Sequence, residues 1–123
     1  MELAQAKTPG RQVIESYGAG RFRVSGTVHE GSVIVFPDRT EPWRIAAFDQ
    51  IDQGSFAGIT AADVDLLLLG CGPRMCLVPR SIRQPLRTGG VVLEPMATGA
   101  ACRTFNVLMA EGRRVAAALI AVE

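Results

Sequence analysis

Histidine, tyrosine and tryptophan occur once each in these 123 residues, and Lys7 is the sole lysine. With one histidine, His29, sequence alone supplies no ready general base beside another catalytic side chain. Cysteine is scarce and odd in number: Cys71, Cys76 and Cys102. An odd, loosely spaced set argues against a disulfide framework, and its spacing is not that of a zinc site. Long apolar runs are missing too. The longest, Val115 to Val122 and Leu66 to Leu69, fall far short of the ~18 residues that a spanning helix requires. Residues 1–11 are polar and lack the apolar stretch of a signal peptide, so a reducing cytoplasm is the expected location. Thirteen Lys and Arg face twelve Asp and Glu. That near balance excludes the basic footprint of a nucleic-acid binder.

What is present is apolar material. Hydrophobic residues make up 48% of the chain, enough for one core in one domain of this length. So apolar a chain is also expected to cover part of its surface with a partner or a second copy of itself. Residues 1–11 read as a loose N-terminal arm, and residues 12–123 as a single α/β domain. Residues 22–28 alternate through Phe22, Val24, Gly26 and Val28, the period of a half-buried strand. A turn at His29-Glu30-Gly31 and a second strand over Ser32 to Phe36 would complete a hairpin, with Trp43 to Ala46 as a third strand of that sheet. Thr60 opens a helical turn. From residue 64 onward the pattern is strand (64–69), helix (81–87), strand (91–96), helix from Thr98 as N-cap, and strand (115–122), with Gly112 past the end of the second helix. Such alternation predicts a mixed central β-sheet covered on both faces.

Four groups of residues are candidates for chemistry. Cys102 lies near the start of a predicted helix beside Arg103, where a thiol pKa falls. Yet it shares a helix face with Phe105, Leu108 and Met109, and the preferred reading is a small buried hydrophobe. Arg103, Asn106, Arg113 and Arg114 are the residues chosen for a contact surface toward a partner or an anion. Local ion pairing with Glu111 and capping of helix carbonyls is the slightly preferred reading of the same side chains. Gly70 and Gly72 follow a strand as in a dinucleotide loop, with Glu94 placed as a ribose-binding acid. The third glycine is missing, however, and a lone G-x-G is weak. Arg74, Arg80, Arg83 and Arg87 form a basic run in which 80, 83 and 87 share a helix face; a solvated face is the preferred reading.

Residues 99–120, GAACRTFNVLMAEGRRVAAALI, resemble the C-terminal motif of a small single-domain family. That family includes mitochondrial complex I (NADH:ubiquinone oxidoreductase) assembly factor 3 and many short bacterial and archaeal proteins of unassigned function. The supporting positions are Tyr17-Gly18, Phe22, Gly31-Ser32, Pro37, Trp43, Leu69-Gly70-Cys71-Gly72 and Gly90-Val91. The resemblance implies a three-layer α/β fold around a mixed sheet. It also implies a part in building a membrane-bound respiratory complex, through protein partners that include subunits of that complex. Cys71 departs from the small residue usual at its position. Without a mitochondrial targeting extension, the chain resembles the bacterial branch. The expectation is a non-catalytic interaction or assembly factor without cofactor or metal. The rival is a small-ligand binder or thiol enzyme using Cys102, with its pocket at Gly70–Pro73 and Ala97–Cys102.

Overall fold

In the computed structural model, residues 1–3 and 11–123 are described. Among the described residues eight strands form two sheets, and two α-helices pack on the larger one. The smaller sheet is antiparallel, with β1 (Ile14–Gly18), β2 (Arg21–Val24) and β3 (Thr27–Glu30) in sequence order. Its β2–β3 hairpin closes at Ser25-Gly26, four residues before the expected turn. Both residues have positive φ, 46° and 87°, the pair that a two-residue type I′ turn demands. Across this turn the faces exchange parity: Phe22 and Val24 are buried, whereas Val28 pairs with Arg23 and is 54% exposed, so the apolar residue at 28 only mimics a continued strand. Met1 to Leu3 lie beside β1, with a Glu2–Ser16 bridge and the Leu3 N–H donating to the Glu15 carbonyl at 3.0 Å. Most of the expected N-terminal arm, residues 4–10, lies outside the described residues.

The larger sheet is mixed. It contains β4 (Val33–Val35), β5 (Thr40–Pro42), β6 (Leu66–Gly70), β7 (Val92–Met96) and β8 (Val115–Leu119), in the order β5-β4-β8-β6-β7. β4 pairs antiparallel with β5 and β8, whereas β6 runs parallel to both β7 and β8. Ser32 to Phe36 therefore does not return along the first hairpin but leaves for the other sheet. Trp43 to Ala46 is not a strand. Trp43 and Ile45 are buried instead, and the Trp43 indole N–H donates to the Ser55 carbonyl at 3.1 Å. The strand–helix–strand–helix–strand order from β6 to β8 is as the sequence indicates. α1 spans Arg80–Thr88 and α2 spans Thr98–Ala110.

β8 reads Val-Ala-Ala-Ala-Leu and is buried throughout, because both faces of its sheet are covered. On one face Leu67, Leu69, Leu93, Ala116 and Ala118 meet Trp43, Phe56 and the α1 residue Ile82. On the other, Leu68, Val115, Ala117 and Leu119 meet Ala101, Cys102, Phe105 and Met109 of α2, with Ile14, Phe22 and Val24 of the small sheet. This is a three-layer α/β arrangement, and its alanines let α2 approach closely. Pro85 lies inside α1, which starts at Arg80 behind Pro79 and not behind Ser81. Proline cannot donate to the carbonyl four residues back. That carbonyl, of Ser81, accepts from the Gln53 side-chain amide at 3.3 Å.

Candidate functional site

The parallel strands β6, β7 and β8 end near the front of α2, where open α/β sheets place their ligand crevice. Here Thr98 occupies that position. It is the first residue of α2 rather than its cap, which is Ala97. The Thr98 backbone N–H donates to the Gly72 carbonyl at 2.8 Å. Its hydroxyl accepts from the Gly72 N–H at 2.9 Å and donates to the Ile120 carbonyl at 2.7 Å. The side chain is wholly buried. A Cβ at Gly70 would lie 3.0 Å from the Thr98 Cα and 3.0 Å from the Leu119 side chain. Gly72 turns the chain at φ 104°, a conformation that favours glycine. Gly70 thus lets the β6 backbone approach Thr98, and Gly72 bonds to it through both its N–H and its carbonyl.

Cys102 is the fifth residue of α2, beyond the first turn within which a helix dipole acts strongly. It is 0% exposed, among Phe105, Leu68 and the small-sheet residues. Burial pushes its thiol up to about 12, while the Arg103 charge pulls the other way. Near neutral pH the thiol therefore stays protonated. Burial also pushes the Cys71 thiol up, with Cys76 adjoining it. All three cysteines are free. His29 sits on β3 opposite Phe22.

The four polar residues of the C-terminal motif part company. Asn106 is buried and faces inward: its amide donates to the Ile14 carbonyl at 2.8 Å and its oxygen accepts from the Ile14 N–H at 2.9 Å. It imitates a neighbouring strand at the start of β1 and pins that strand to α2. Arg114 turns to the segment before β6, donating to Asp65 at 3.1 Å and to the Ala61 carbonyl at 2.6 Å. Arg103 is exposed, with its guanidinium 3.5 Å from the Tyr17 hydroxyl. Arg113 is exposed as well. Among the described residues Glu111 makes no ion pair with an arginine. What faces solvent along α2 is Arg103, Val107 at 57% exposure, Ala110 and then Arg113.

Two contributors escaped sequence reasoning. Tyr17 lays its ring on Gly99, so close that a Cβ there would fall 2.9 Å from the ring carbon bearing the hydroxyl. The signal was a glycine in the first turn of a helix, a residue poorly suited to helices unless something approaches it. Thr98, expected from sequence to cap α2, instead uses its hydroxyl to join the ends of β6 and β8. On the opposite face, Arg80, Arg83 and Arg87 do share a side of α1. With Gln84 they border a groove of about 580 Å³ that also includes Val78, Val92 and Leu93. Among the described residues, no helix is long and apolar enough to cross a membrane.

The model of a protein family of unknown function (DUF498/DUF598) matches residues 14–120. An uncharacterized protein of Rhodobacter capsulatus is 40% identical over 111 residues, covering 90% of this chain and 86% of its own. The bovine NADH dehydrogenase [ubiquinone] 1 alpha subcomplex assembly factor 3 is 29% identical over 98% of this chain, which spans 66% of the bovine protein. Among solved structures, one described as an outer membrane protein from Bartonella henselae superposes with a TM-score of 0.85. It is 37% identical, over 94% of this chain and 98% of that one. A Mth938-like domain from Bordetella pertussis superposes at 0.79 with 27% identity, over 98% of this chain and 92% of that one.

Proposed function

This chain belongs to the DUF498/DUF598 family of proteins of unknown function, and from that premise we propose that it is a non-catalytic protein-interaction factor in the assembly of a membrane-bound respiratory complex. The observation that carries the reading is the enclosure of Cys102 with a thiol raised to about 12. The side chain best suited to covalent chemistry is core material, as are Thr98 and Asn106 beside it. The assembly-factor name borne by the bovine relative supplies the biological direction. The surface proposed for the partner is the outer stripe of α2, with Arg103 and Arg113 flanking exposed Val107. Arginine beside an exposed aliphatic side chain is a common composition for such contacts. Asn106 and Arg114 leave that surface, since their polar atoms serve β1 and the Ala61–Asp65 segment.

The test is complementation of a strain lacking this chain, with assembled NADH:ubiquinone oxidoreductase read on a native gel. Wild type and Cys102→Ala should restore the complex, while Arg103→Glu/Val107→Glu, folded by circular dichroism, should not. Normal complex levels without the chain would refute the assembly role. Failure of a folded Cys102→Ala variant would refute the non-catalytic reading.

A further inference from the structure

The stretch between Asp65 and Glu94 contains no acidic residue but four arginines: Arg74, Arg80, Arg83 and Arg87. Three of them are on α1, a helix built against the usual rules of charge. Its N-cap, Pro79, gives no side-chain bond, and no acid stands in its first turn. Arg80 occupies the first helical position instead, at the positive end of the peptide dipoles, where cations are unfavourable. Arg83 follows Arg80 by three residues and precedes Arg87 by four, spacings at which like charges repel. None of the ion pairs among the described residues engages any of the four arginines. The helix is anchored by buried Ile82 and half-buried Leu86. A surface helix that gathers repelling charge at its own expense departs from local consistency, and such departures mark functional sites.

Arg80, Arg83 and Arg87 face a groove, not an open plane. Its other side is β7, the edge strand of the large sheet. The Val92 N–H and the Met96 carbonyl of β7 bond inward, to Asp65 and Cys71. Leu93 and Pro95, which alternate with them, therefore turn their backbone groups outward. The Leu93 carbonyl is already taken by the Arg83 guanidinium at 3.2 Å, and Pro95 has no N–H to give. A partner strand cannot zip onto this edge. Recognition must come from side chains, and the groove supplies arginine forks on one side and apolar Val78 and Val92 with them. Leu77, 84% exposed, stands beside Val78 and adds apolar surface.

We propose that the groove between α1 and the β7 edge binds an acidic, apolar-punctuated segment of a partner protein. Its carboxylates would take Arg80, Arg83 and Arg87, and its aliphatic side chains would lie against Val78 and Val92. Arginine matches carboxylates through paired, parallel hydrogen bonds. A concave groove suits a single chain, whereas a bilayer presents a flat face. α1 and α2 cover opposite faces of the central sheet, so occupancy here leaves the α2 stripe open, and the groove stands or falls independently of it.

The probe is a fluorescein-labelled peptide of alternating glutamate and leucine, followed by anisotropy against the whole chain. A lysine–leucine peptide, inorganic phosphate and phosphatidylglycerol vesicles are run in parallel. Saturable binding of the glutamate peptide is expected, with none for the lysine peptide. Raising the salt from about 50 mM to about 300 mM should weaken binding about tenfold. Arg80→Glu/Arg83→Glu should weaken it about tenfold or more. Arg80→Glu alone, which puts an acid at the helix front, should weaken it while the melting temperature holds or rises. Arg21→Glu and Arg44→Glu should leave it unchanged. Undiminished binding by the folded double variant would overturn the proposal. So would vesicles or millimolar phosphate binding in preference to the peptide.

Discussion

Replacing Thr98 by valine keeps the shape of the side chain and removes one hydroxyl. That hydroxyl accepts from the Gly72 N–H at 2.9 Å and donates to the Ile120 carbonyl at 2.7 Å, in a fully buried position. Two net hydrogen bonds are lost, at about 1 kcal/mol each, and a buried donor is left without a partner, at about 1–3 kcal/mol. Part of the second cost overlaps the first, so the expected destabilisation is about 3 kcal/mol. With unfolding entropy of about 2.1 cal/mol/K per residue, a chain of this length loses about 4 °C per kcal/mol, and about 12 °C in all. Urea unfolding followed by circular dichroism should show a lower midpoint with an unchanged slope. Thr98→Ser, which keeps the hydroxyl, should lose only the buried methyl, about 1 kcal/mol. A valine variant within about 0.5 kcal/mol of wild type, or a serine variant equally damaged, would refute Thr98 as the joint between β6, α2 and β8. The position would then have to be reconsidered as a ligand contact.

The thiol of Cys102 gives a pH signature. Its pKa is pushed from 9.0 to about 12 by burial, so above pH 9 the unfolded chain releases this proton first. Stability should then fall as pH rises, by at most about 1.4 kcal/mol per pH unit from this group. Cys102→Ala should flatten the profile between pH 9 and 11, and identical profiles for the two proteins would count against the burial argument. In Gly99→Ala the new methyl meets the Tyr17 ring. Despite better helix propensity, the variant should lose about 1–3 kcal/mol. In a Tyr17→Ala background the same change should be neutral or stabilising; additive effects in that double-mutant cycle would mean the contact is not what makes Gly99 necessary.

Much of the architecture lies open in local pattern. The continuous apolar runs at Leu66–Leu69 and Val115–Ile120 belong to strands buried on both faces, and the 3.6-residue period of Ala101, Phe105 and Met109 belongs to a helix on the sheet. The true hairpin turn is masked in the sequence because Val28, an exposed residue paired with Arg23, continues by coincidence the apolar period of Phe22 and Val24. Trp43 to Ala46 misled because alternating apolar residues fit an irregular buried segment as well as a strand. Arg103 and Asn106, grouped in the sequence as one contact surface, lie three residues apart, and three residues on a helix fall about 60° short of a full turn. That offset is enough to send Arg103 to solvent and Asn106 to the Ile14 backbone.

Fold class, the run of elements from β6 to β8 and the concentration of arginine before Glu94 are properties of neighbouring residues, and the sequence carries them by itself. Period, propensity and charge act over one or two turns of chain. Only the tertiary structure decided which polar groups remain available. Asn106 meets Ile14 across 92 residues, Thr98 meets Gly72 and Ile120 across 26 and 22, and Arg114 meets Ala61 across 53. A side chain can form a contact surface only if its hydrogen-bonding atoms are not already satisfied inside the fold, and that depends on partners distant in the chain.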